Sequence, residues 1–171
     1  ALEGTDEYVI ATLKTTETYH QTHCLKELFG QCLLPTQVEV NPEVFYKYFI
    51  KLSELRYSLS GDTLQLQVPQ IYLSIPVAID SDSIEHRCHA TIVSFHCKQA
   101  FNNLMDTVSD RLIVKGKLQK SSVYEKAAKS LADNINAFLQ HQNHKIGYKN
   151  ITVHFNDEDG HSEHLLRYND S

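Results

Sequence analysis

A chain of 171 residues that is 42% hydrophobic and 22% charged can bury a real core within one domain, and it shows no low-complexity tract or internal repeat. Its net charge of −5 argues against a general nucleic-acid binder, which needs a basic footprint; the densest basic group, Lys115, Lys117 and Lys120, reads as a solvated turn. No window approaches the ~20 apolar residues of a membrane helix.

The first half reads as strands. "EYVIATLKTT" (7–16) is β-rich and leads into "ETYHQTHC". "TQVEV" alternates and is expected to stop at Asn41-Pro42. In "VFYKYFIKL", Val44, Tyr46, Tyr48, Ile50 and Leu52 share one face, opposite Phe45, Lys47, Phe49 and Lys51. Leu55, Tyr57 and Leu59 alternate, Gly61-Asp62 supplies a turn, and Leu64, Leu66 and Val68 alternate again: a β-hairpin, ended by Pro69. "IYLSIPVAID" continues extended, with Pro76 marking an edge or a bulge.

The second half changes period. Cys97, Phe101, Leu104, Met105, Val108 and Leu112 form one stripe of an amphipathic helix, which Gly116 is expected to end. Val123, Ala127, Leu131, Ile135, Phe138 and Leu139 make the buried face of a second helix, with Ser122 and Glu125 as an S-x-x-E capping box. "KNITVHF" returns to strand. The pattern predicts an α+β fold: an antiparallel β-meander in the N-terminal half, packed by two amphipathic helices, with a final C-terminal strand. Residues 1–156 are expected to form a single domain and 157–171 a polar, flexible tail.

The chemistry concentrates in "SIEHRCHATIVSFHC". With the helix starting near Thr91, His86, Cys88 and His89 cluster in a connecting loop, a ligand set suited to Zn or Cu with a fourth partner; the plainer reading is a loop with incidental histidines. His20, His23 and Cys24 form a second candidate, whose plainer reading is an exposed strand end. The pairs His141/His144 and His161/His164 stand on no dependable scaffold. Carboxylates gather at Asp80, Asp82 and Glu85, and at Asp157, Glu158 and Asp159, without a calcium-loop register. There is no Gly-flanked nucleophile elbow and no phosphate-cradling glycine loop. Tyr46, Tyr48, Tyr57 and Tyr72 suit a binding groove or half-buried sheet positions. Protonating the 10 histidines would reverse the sign of the net charge in mild acid.

The run "KLSELRYSLSGDTLQLQVPQIYLSIPVAID" resembles the central block of an uncharacterised bacterial envelope domain family whose members carry an N-terminal membrane segment. The resemblance rests on Leu52-Ser53, the Gly61-Asp62 turn, Val68-Pro69 and Ile79-Asp80, with the two helices and "ITVHF" following in the family's order. The family's glycine and acidic residue before the Leu-Ser step are replaced here by "YFIKL". The resemblance implies a periplasmic or extracytoplasmic place, with the full-length protein membrane-anchored through a removed N-terminal segment; it supplies no catalytic residue.

With that implied compartment, the even count of Cys24, Cys32, Cys88 and Cys97 points to disulfides. Cys24 with Cys32 closes a short loop. Cys88 with Cys97 needs the chain to turn back between them, which a continuous strand or an early helix start forbids, so the first pair is the better supported. The expectation is a non-enzymatic extracytoplasmic binding or assembly module that takes an unknown protein or small-molecule ligand, without cofactor and without nucleic acid. The alternatives are a Zn- or Cu-binding envelope protein using the His/Cys loops, and a hydrolase whose active site the sequence does not reveal.

Overall fold

A computed structural model describes residues 6–24, 26–90, 95–142, 148–158 and 160–168, with the side chains of residues 86, 90, 95 and 96 outside the description. The strands are β1 (Glu7–Thr16), β2 (Tyr19–Cys24), β3 (Glu27–Leu28), β4 (Gln31–Cys32), β5 (Pro35–Lys51), β6 (Arg56–Ser60), β7 (Thr63–Val68), β8 (Tyr72–Leu73), β9 (Ala78–Ala90), β10 (Asn150–Asp157) and β11 (Gly160–Arg167). The helices are α1 (Phe95–Leu118) and α2 (Tyr124–Gln142). The fold is mixed α+β, with mostly antiparallel strands, two helices and a C-terminal strand pair, as the residue periodicity predicts. The chain divides into two compact units.

The first unit takes Lys14–Tyr46 and Ile75–Lys115. Its sheet centres on β5, with β2 antiparallel on one edge and β9 antiparallel on the other. Every second residue of β5 is buried, so Val38, Val40, Val44 and Tyr46 make the inner face. The strand does not stop at Asn41-Pro42. The β5–β9 register shifts between Asn41 and Glu43, so Pro42 sits at an irregularity where no ladder donor is required, and its carbonyl accepts from Glu17 N at 3.0 Å. Of the predicted α1 stripe, Leu104, Val108 and Leu112 are fully buried, together with Ala100, whereas Cys97, Phe101 and Met105 are only partly covered. Arg111 over the Tyr19 ring and Lys115 against Glu17 tie this helix to the strand side.

The second unit takes Ala1–Leu13, Lys47–Ser74 and Gly116–Ser171. Its sheet runs β11–β10–β7–β6. The hairpin β6–β7 turns on Gly61-Asp62, with Gly61 at φ +60 and Ser60 opposite Thr63. β10 lies parallel to β7, a pairing that demands a long crossover, and α2 comes within that crossover. Tyr124, Ala127, Ala128, Leu131 and Ala132 are buried on α2, as are Leu64, Leu66, Ile151, Val153 and Phe155 on the sheet.

Four sequence expectations change in detail. Gly116 does not end α1: it lies one turn beyond Leu112 on the buried stripe, and its carbonyl accepts from the Tyr48 hydroxyl at 2.8 Å. The capping box does not form, because a 3-10 turn over Lys120–Val123 precedes α2 and Ser122 Oγ donates to Gln119 O instead. Phe138 is 62% exposed, since the buried stripe runs through Ala128, Ala132 and Asn136. The run expected as a tail forms β11, paired antiparallel to β10 from Gly160 to Arg167.

Candidate functional site

The alternation of a strand decides what β9 presents. The histidines and cysteine near position 88 lie on a strand, not in a connecting loop, so consecutive residues face opposite ways. Cys88 points to the inner side and is bonded to Cys97, while His89 is exposed on the outer side. The side chain of His86 falls outside the described residues.

The outer face of β2, β5 and β9 carries two cross-strand rows. His20 lies opposite Glu39, which lies opposite Arg87; Thr22 lies opposite Gln37, which lies opposite His89. These six side chains border an open groove of about 340 Å³, with Gln21 and Val38 completing its lining. Glu39 is held from two sides: His20 Nδ1 stands 3.4 Å from Oε2, and Asn41 Nδ2 donates to Oε1 at 3.0 Å. The groove therefore offers a fixed cation at Arg87, imidazoles on both outer strands, and acceptors at Glu39 and Gln37 between them. Of the histidines singled out in the sequence, the fold brings His20 and His89 together here. Arg87, Glu39, Gln37 and Thr22 escape a search for metal or catalytic motifs; their only trace in the sequence is the polar half of the strand alternation.

Two disulfides hold these strands. Cys24–Cys32 clips the end of β2 to β4, just before β5 begins, with Cα atoms 5.7 Å apart. Cys88–Cys97 ties the C-terminal end of β9 to the first turn of α1, with Cα atoms 5.9 Å apart. The second bridge is the one that the sequence disfavours. It forms because β9 ends at Ala90 and α1 begins at Phe95, so the chain reverses between the two cysteines and neither element runs through both. Cys88 is thus the register neighbour of Val38, directly behind the groove floor and between Arg87 and His89. Its sulfur is committed to Cys97 and is not available as a thiolate ligand. Among the described residues no group of three His, Cys, Asp or Glu side chains could hold a metal ion.

Behind the sheet, Glu17 is buried but satisfied. Tyr46 donates to one carboxylate oxygen at 3.2 Å and Lys115 to the other, and its own N–H goes to Pro42 O. Burial, reinforced by the Glu17 charge, pushes the Tyr19 phenol up. The remaining tyrosines split by environment: Tyr46 and Tyr48 are core, Tyr72 donates to Glu54 at 3.0 Å, and Tyr57 is exposed. Asp157, at the head of the second carboxylate group, is buried against Lys120.

No helix among the described residues is long and apolar enough to cross a membrane. No protein-family model matches this chain, and neither a curated protein nor a solved structure matches it. Its own geometry is what carries a functional reading.

Proposed function

We propose that this chain is a non-enzymatic extracytoplasmic binding module that takes a polar peptide segment of a partner protein on the outer face of β2, β5 and β9. The two disulfides support an oxidising compartment, and with it a periplasmic or other extracytoplasmic site of action. The observation that carries the reading is the pair of rows His20–Glu39–Arg87 and Thr22–Gln37–His89. Donors on the outer strands flank acceptors on the central one. A peptide suits that array because each residue brings both an N–H and a C=O, and acidic side chains add a partner for Arg87. The face is open and set on paired strands, so the backbone positions of the array are fixed before the ligand arrives.

Selection of short peptides from a random display library tests this. Peptides enriched on the oxidised protein should bind with micromolar affinity and lose at least about tenfold on Arg87→Glu, about 1.4 kcal/mol. Enriched peptides indifferent to both Arg87→Glu and Glu39→Lys would place binding elsewhere and overturn the reading.

A further inference from the structure

The short hairpin between the two halves of the Cys24–Cys32 loop ends in an unusual tip. β3 and β4 pair Glu27 with Cys32 and Leu28 with Gln31, leaving Phe29-Gly30 as a two-residue turn. Both turn residues have positive φ, 52 for Phe29 and 75 for Gly30. Such turns favour Asn, Asp or Gly at both central positions, and a bulky side chain there is a genuine outlier. Phe29 is nevertheless 97% exposed, with Leu28 and Leu33 half exposed beside it. The disulfide and the Leu33 N to Lys26 O bond of 2.9 Å close the base, so the ring is displayed on a short, clipped stem. A strained turn that holds an aromatic ring fully in water is a knob without a hole.

The same chain carries a hole without a knob. Leu64 and Leu66 on β7 are buried, but their cross-strand partners on β6, Leu59 and Tyr57, stay 58% and 74% exposed. Between those two residues and Ile135 and Leu139 on α2 lies an apolar groove of about 260 Å³, floored by Leu64 and Leu66. Its volume is sufficient for one aromatic ring. Charge does not oppose it: Lys26 with Glu27 at the knob base and Glu54 with Arg56 beside Leu55 each sum to zero, so docking brings together no net like charge.

We infer that Phe29 of one copy docks into the Tyr57–Leu59–Ile135–Leu139 groove of a second copy. The contact is heterologous, knob to hole, so each docked copy still offers one free end and the association extends into chains or closes into a ring. One ring with its two leucines buries far less than the roughly 1,200–2,000 Å² of a standard stable interface, so the association is weak and depends on concentration. A membrane is the less favoured occupant, because Lys26 at the knob base is offset by Glu27 and gives no net positive rim to draw it to anionic lipid. The proposal supplies the assembly half of the reading above and does not use the Arg87 groove.

Sedimentation of the oxidised protein over a range of concentrations is the test, with F29D and L59K as variants. Both replace exposed side chains, and Asp accepts positive φ better than Phe, so circular dichroism should show both folded. The mass of the wild type should rise with concentration while each variant alone stays monomeric. An equimolar mixture should recover a dimer and nothing larger, because L59K keeps the knob and F29D keeps the groove. Wild type that stays monomeric at its solubility limit would overturn the inference, as would a mixture that fails to pair. Phe29-dependent flotation with phosphatidylcholine vesicles, without self-association, would assign the knob to a membrane and overturn it too. F29D should bind the selected peptides as the wild type does, which separates failure here from failure of the peptide reading.

Discussion

Lys120 Nζ stands 2.8 Å from Asp157 Oδ1, and both side chains are buried. The same two groups bracket one peptide unit: Asp157 Oδ2 accepts from Ile71 N at 3.0 Å and Lys120 reaches Ile71 O at 3.3 Å. The pair thereby joins the turn before α2, the end of β10 and the segment ahead of β8 within one unit. Removing either partner strands the other charge in the core. Asp157→Ala should cost about 3–5 kcal/mol, whereas the double variant Lys120→Met/Asp157→Leu should lose less than either single change. Urea unfolding of the three variants measures this, and a double loss equal to the sum of the singles would show that the pair does not act as a unit.

Tyr48 is held neutral. Burial pushes its phenol up to about 12 from 10.0, against the opposing effect of the Lys120 charge. A folded-state value raised above the unfolded one gives stability that is complete below pH 10 and is lost as pH rises toward 12. Tyr168, raised by burial and by its bond to Asp133, acts in the same direction. Absorbance titration at alkaline pH should therefore show tyrosines that ionise late. Tyr48→Phe should remove one of them and lower neutral-pH stability by about 1 kcal/mol through the lost bond to Gly116 O.

On α2, Leu131→Ala should cost about 2–5 kcal/mol, because that side chain is only 1% exposed. Phe138→Ala, at 62% exposure, should cost well under half as much despite removing a larger side chain. Thermal melts rank the two, and a reversed order would mean the buried stripe runs through Phe138 after all.

Gly61 has open space where a side-chain methyl would sit, yet its φ is +60, so backbone conformation alone sets the cost of a side chain there. Gly61→Val should destabilise by about 1–2 kcal/mol, and Gly61→Asn by appreciably less. Equal losses, measured by urea unfolding, would point to crowding in place of strain.

Thiol titration of the denatured, unreduced protein should find no free cysteine among the four. Each bridge closes a short loop, with separations of 8 and 9 residues, and by the chain-entropy estimate each contributes about 2–3 kcal/mol. Replacing Cys88 and Cys97 together by Ser should also weaken peptide binding at the groove, since Cys88 sits between Arg87 and His89; unchanged binding would show that the bridge serves stability alone.

The strands and helices are legible in the sequence because their burial follows simple periods: Val44, Tyr46, Tyr48 and Ile50 alternate, and Leu104, Val108 and Leu112 recur at helical spacing. The site is not. His20, Glu39 and Arg87 are brought together only by the pairing of three strands from distant parts of the chain, and register is a tertiary fact. The Cys88 bridge looks unfavourable in sequence because the length of β9 and the start of α1 set whether the chain can double back, and element boundaries are weakly written there. Phe29 does not stand out because a positive φ at a phenylalanine contradicts local preference; it is visible only once the hairpin has formed.

The parallel partner of Thr63 is Asn150, and that of Val68 is Phe155. A ribosome delivers the first of these strands long before the second. Until β10 has emerged, Leu64, Leu66 and Val68 lack their parallel neighbours Ile151, Val153 and Phe155, and the β6–β7 hairpin must wait with one edge unpaired. Completion of this sheet thus waits on the synthesis of β10. A chain that stops short of β10 leaves behind an open strand edge, the kind of surface that holding chaperones bind and quality-control proteases cut.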